Sequence, residues 1–206
     1  MTNISHHLIL TLFVLVASSC SAANAMNRDV CPDRSSDDYY FARGALRPGN
    51  PDLDRFIRDW FSEQLAAMDE PSISCGKPDV YRFTWLRTFH HPVAVRIAAQ
   101  GDSAILYAVE LDGAGGYAPG KVLRKIERTL SSSEFKDLKI LFPNSQFSLM
   151  PTTEDRAGFD GSEWILEQSG EAGYHLVVRR TPENGAVRDI GNLFLSFTGW
   201  TFEKVY

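Results

Sequence analysis

Residues 160–182, DGSEWILEQSGEAGYHLVVRRTP, read as a β-hairpin, and the fold turns on how that hairpin joins the strands before it. Trp164 and Leu166 occupy one face of its first strand and Ile165 and Glu167 the other. In the second strand Tyr174, Leu176 and Val178 oppose His175, Val177 and Arg179. With a loop over residues 169–172, Glu167 falls close to Tyr174 or His175, depending on register. A Glu167 turned to the apolar side needs a donor, because an unpaired buried carboxylate is costly. Arg179 or Arg180 is the expected partner. Trp164, Glu167, Tyr174, His175 and Arg179 are therefore the candidate binding residues, and the competing reading is a polar pin that locks the sheet.

Upstream, Asn50 suits an N-cap, Pro51 the first helical position, and Asp52 and Asp54 the positive end of a helix dipole. Leu53, Phe56, Ile57, Trp60, Phe61, Leu65 and Met68 recur every three or four residues, which predicts a helix over 51–69 with that apolar face in the core. From Val80 the period changes to two. Tyr81, Phe83, Trp85 and Phe89 alternate with Arg82, Thr84 and Thr88, as in a half-buried strand. Further strands are expected over 93–99, 104–111 and 121–129, separated by turn signals at 100–103 and in the Gly-rich 112–120 segment. Three successive hairpins imply an antiparallel meander. Helices are predicted over 132–142, ending at Pro143, and over 185–198. The expected architecture is α+β: an antiparallel β-meander, extended or followed by the 162–180 hairpin, with three packed helices.

Residues 8–17 are an apolar run of ten, half the roughly 20 needed to cross a bilayer, and read as the core of a signal peptide. Ala23-Asn24-Ala25 places cleavage before Met26. Alternatively Ala17-Ser18-Ser19-Cys20 places a lipid anchor on Cys20, with a leader of 1–19. Residues 26–50 then form an irregular arm and 51–206 a single domain. Removal of the leader leaves Cys31 and Cys75, and a disulfide between them would stabilise by about 2–4 kcal/mol in an oxidising compartment. The expected location is the periplasm or the periplasmic face of the outer membrane, with no transmembrane segment.

The formal charge of −5 argues against nucleic-acid binding and favours a cationic partner. Gly113 to Gly116 match no phosphate-loop pattern. His90 and His91 point to opposite faces of a strand and cannot share a metal. Glu154, Asp155 and Asp160 lack calcium-loop spacing. No catalytic residue, metal site or cofactor is assigned.

The pattern D-G-x-x-W-x-L-E followed by Y-H-x-x-x-R-R-x-P and an apolar helix resembles a motif of small exported bacterial proteins of unassigned function. Asp160, Gly161, Trp164, Glu167, Tyr174, Arg179 and Pro182 carry the match, within residues 131–206. The resemblance implies a shared hairpin and helix unit and no activity. The expected function is a cell-envelope binding protein, an inhibitor or immunity protein against a periplasmic effector such as a basic cell-wall-acting enzyme. The alternatives are a small periplasmic enzyme with Glu167 as general acid or base, and a structural envelope lipoprotein.

Overall fold

The computed structural model describes residues 32–75, 79–154, 158 and 160–206. The leader, Cys20 and Cys31 lie outside these residues. Cys75 is disulfide-bonded.

Helix α1, Pro51–Ala67, starts as its sequence dictates: the Asn50 side chain accepts the Leu53 N–H at 3.1 Å, with Pro51 behind it and Asp52 and Asp54 in the first turn. Four strands follow as a meander: β1 Val80–Arg87, β2 Val93–Gln100, β3 Ser103–Leu111 and β4 Val122–Thr129. Helix α2, Ser132–Asn144, opens on a capping box in which Ser131 and Glu134 satisfy each other's backbone N–H groups. It runs one residue beyond Pro143, the expected end. A 3-10 turn, Phe147–Leu149, precedes β5 (Ser162–Gly170) and β6 (Gly173–Arg180), and α3 spans Ala186–Phe197.

All pairings are antiparallel and the sheet order is β4-β3-β2-β1-β5-β6. The hairpin therefore extends the meander by adding β5 beside β1, which places β1 at the centre. Tyr81, Phe83 and Trp85 of β1 join Trp164 and Leu166 of β5 under α2 and α3. The opposite face carries Leu86, Ile165, Leu176 and Val178 under α1 and the arm. Every residue of β1 is buried, so the half-buried strand expected from its alternation is corrected. Arg82 and Thr84 face a second protein layer instead of water.

The expected core face of α1 holds for Phe61, Leu65 and Met68, which are buried, and for Ile57 and Trp60, which pack against the core, and it is corrected at its N-terminal end. Leu53 and Phe56 are exposed, while Asp54, Arg58, Phe61, Gln64 and Leu65 point inward. The irregular arm explains the burial of Asp54 and Arg58, because its backbone N–H groups need acceptors once Tyr40, Phe41 and Leu46 are buried. Asp54 accepts from the Gly44, Leu46 and Arg47 N–H groups at 2.8–2.9 Å and from Arg58 Nε at 2.8 Å. Arg58 in turn donates to the Asp37 carbonyl at 2.9 Å.

Burial would raise the Asp54 pKa, but the three backbone donors and Arg58 outweigh it and hold the carboxyl down to about 2. A depressed carboxyl pKa contributes stability above its unfolded value and loses it as pH falls through the folded one. Acidification from about pH 4 to about pH 2 should therefore remove about 2 kcal/mol through this group alone. Asp54→Asn should flatten that limb of the stability profile, as read by urea denaturation at each pH.

Candidate functional site

The five candidate residues do not share a site, because the sheet separates them. Trp164 lies in the core under α3, with its ring centroid 5.1 Å from that of Phe83 and 5.8 Å from that of Trp85. Its indole N–H is shared between Ser162 Oγ at 2.9 Å and the Tyr206 main-chain oxygen at 3.0 Å. His175 and Arg179 are on the same face at the outer edge, where β6 meets residues 150–154. The His175 ring stands against Phe147 at 5.0 Å, with Nε2 3.1 Å from the Met150 carbonyl oxygen. Arg179 donates to the Pro151 carbonyl at 3.0 Å and pairs with Glu154 at 2.8 Å.

Glu167 and Tyr174 occupy the opposite face. Glu167 is 0 % exposed, and its partner is Arg82 rather than Arg179 or Arg180. The two residues stand opposite each other in the β1/β5 register. Arg82 Nε donates to Glu167 Oε2 at 2.6 Å and Nη2 to Oε1 at 2.8 Å, a bidentate fork. Its remaining nitrogen, Nη1, donates to the Pro71 carbonyl at 2.6 Å and lies 3.6 Å from Glu70, which pairs with Arg96 at 2.9 Å. Two arginines and two carboxylates thus neutralise one another in the interior. The Tyr174 hydroxyl donates to Glu167 Oε1 at 2.8 Å. Burial, reinforced by the Glu167 charge, holds that phenol well above its ordinary value, so it stays a donor.

A general acid or base must reach its substrate, and Glu167 reaches only Arg82 and Tyr174. The cluster is the polar pin that joins β1, β5, β6 and the segment after α1. Arg180 is engaged with Glu163 at 2.8 Å instead. Asp155 lies outside the described residues, and among those described no group of three or more His, Cys, Asp and Glu side chains is placed to hold a metal ion.

The accessible aromatic surface lies elsewhere, over α1 and the ends of two hairpins. Phe56 is 66 %, Tyr117 62 % and Phe89 58 % exposed. The Phe89 and Tyr117 rings stack at 6.1 Å with 30° between their planes. Trp60, one turn after Phe56, fixes the 112–120 loop to α1 by donating to the Gly115 carbonyl at 2.7 Å. Gln64 repeats the contact one turn later, donating to the Tyr117 carbonyl at 2.9 Å. The loop is tied to the β1/β2 connection by Gly115 N–H to the His90 carbonyl at 3.0 Å and Gly116 N–H to the Thr88 carbonyl at 3.2 Å.

These contacts explain the glycine run. A Cβ on Gly115 would stand 2.6 Å from the Arg87 nitrogen, and one on Gly116 2.9 Å from Thr88 Cα, so only glycine permits this approach. Sequence reading took Phe56 for core and missed this surface. The signal available was the Gly-rich turn itself, whose four close glycines mark backbone packed against backbone.

Among the described residues no helix is long and apolar enough to cross a membrane. No protein-family model matches the chain, and no curated protein matches it.

Proposed function

We propose that the chain is an exported cell-envelope binding protein, an inhibitor or immunity protein that blocks a periplasmic effector by docking on it. The observation that carries this reading is the set of exposed aromatic side chains Phe56, Tyr117 and Phe89 beside the half-buried Trp60, braced by the hydrogen bonds of Trp60 and Gln64 to the loop. Large aromatic side chains held in place before binding make strong interface anchors, since little entropy is lost when they are covered. Burial of Glu167 against Arg82 removes the support for the enzyme alternative.

Export rests on the apolar run over residues 8–17, ending in cleavage after Ala25 or lipidation of Cys20. Within the oxidising periplasm, pairing of Cys31 with Cys75 would tie the arm to the body. The mature protein, immobilised and exposed to periplasmic extract at low and moderate salt, is expected to retain one protein in stoichiometric amount. Recovery of none under either condition overturns the proposal.

A further inference from the structure

We infer that the docking surface on α1 selects a protein partner offering lysine or arginine side chains set among apolar ones. This deepens the binding-protein reading and rests on it. Phe56, Asp59, Trp60 and Glu63 stand at i, i+3, i+4 and i+7, so aromatic rings and carboxylates share one helix face. Leu53, 41 % exposed, extends the apolar part of that face. Asp52 is engaged with Arg55 at 3.3 Å, whereas Asp59 and Glu63 are exposed and form no ion pair among the described residues. Two unneutralised carboxylates beside aromatic rings attract a cation twice over, by Coulomb attraction and by the ring quadrupole.

The chain uses the same chemistry internally. The guanidinium of Arg87 stacks on Trp85 at 4.0 Å, that of Arg96 on Tyr107 at 4.1 Å and that of Arg124 on Trp200 at 4.3 Å. Phe89 and Tyr117 form a stacked pair with more than half of each residue exposed, and no internal cation is placed over either ring among the described residues. The net charge of −5 steers a basic partner toward the protein and disfavours an acidic one or an anionic polymer. Hydrogen bonds from Trp60 and Gln64 already hold the loop, so docking requires little reorganisation.

The test is an amide-resolved NMR titration of the mature protein with two short amidated peptides, one alternating lysine with leucine and one alternating glutamate with leucine. The lysine peptide is expected to shift residues 52–63, 88–91 and 113–118, to weaken several-fold as salt rises from about 50 to about 300 mM, and to bind roughly tenfold more weakly to Phe56→Ala/Tyr117→Ala. Both substitutions are on exposed side chains, and an unchanged melting temperature confirms that the variant is folded. Equal binding of the glutamate peptide, or shifts centred on β4 or on residues 150–187, overturns the proposal. So do shifts in the free protein that track its own concentration, which assign the surface to a second copy. A lysine-dependent footprint with nothing retained from extract overturns the inhibitor reading alone. A retained partner without the footprint overturns this surface assignment alone.

Discussion

Arg82→Met is expected to destabilise the protein by about 3–5 kcal/mol, the range for breaking a buried pair from one side. The substitution removes a fully buried guanidinium that makes three hydrogen bonds, and it strands Glu167 in the interior with only the Tyr174 hydroxyl. Glu167→Gln keeps the side-chain shape and one acceptor, and Arg82 retains Pro71 and the nearby Glu70, so a smaller loss of about 1–3 kcal/mol is expected. Combining the two should cost less than the sum, because glutamine removes the charge that methionine had stranded. Urea denaturation of all four proteins measures this coupling. Additivity within about 0.5 kcal/mol would mean that the two residues act independently and that the pin does not exist as described.

Gly191→Ala is expected to cost about 2–3 kcal/mol, although alanine is the better helix former by about 1 kcal/mol. Gly191 of α3 packs directly against Trp164 of β5 and Phe83 of β1. A Cβ there would lie 2.9 Å from Phe83 Cζ and closer still to two ring carbons of Trp164. Neither ring can yield cheaply. Trp164 is pinned through its indole N–H to Ser162 and Tyr206, and Phe83 packs against both Trp164 and Phe194. Trp164→Leu should therefore rescue part of the Gly191→Ala loss, since the smaller side chain opens the space that the methyl needs. Thermal denaturation of the single and double variants checks the sign of this coupling. A neutral Gly191→Ala would show that α3 stands farther from the sheet.

Both predictions concern features that sequence reading reached only in part. The elements themselves were legible, because Asn50-Pro51 starts α1, the Gly-rich turns separate the strands and the alternation in 162–180 assigns each hairpin residue to its correct face. The partner of Glu167 was not legible. Arg82 stands 85 residues away and meets it only through the β1/β5 register, which no local period encodes. The N-terminal end of the α1 core face failed for a different reason. Leu53 and Phe56 have core spacing, and Asp54 and Arg58 look like solvent-facing charges until the backbone of the arm is seen to require them. A polar residue can be buried by the needs of a neighbouring irregular segment, and an apolar stripe can be left outside for a partner. Hydrophobic periodicity cannot distinguish those cases from the ordinary one.

On the proposed reading the hairpin cluster holds the fold and the aromatic face of α1 would make the contacts, and the two roles separate in one experiment. The protein retained from periplasmic extract is titrated against Glu167→Gln and against Phe56→Ala/Tyr117→Ala, at a temperature where both variants are folded. Glu167→Gln should bind as the unaltered chain does despite its lower stability, while Phe56→Ala/Tyr117→Ala should keep its stability and lose at least roughly tenfold in affinity. Loss of binding in folded Glu167→Gln, with Phe56→Ala/Tyr117→Ala unaffected, would return the function to the hairpin and contradict this assignment.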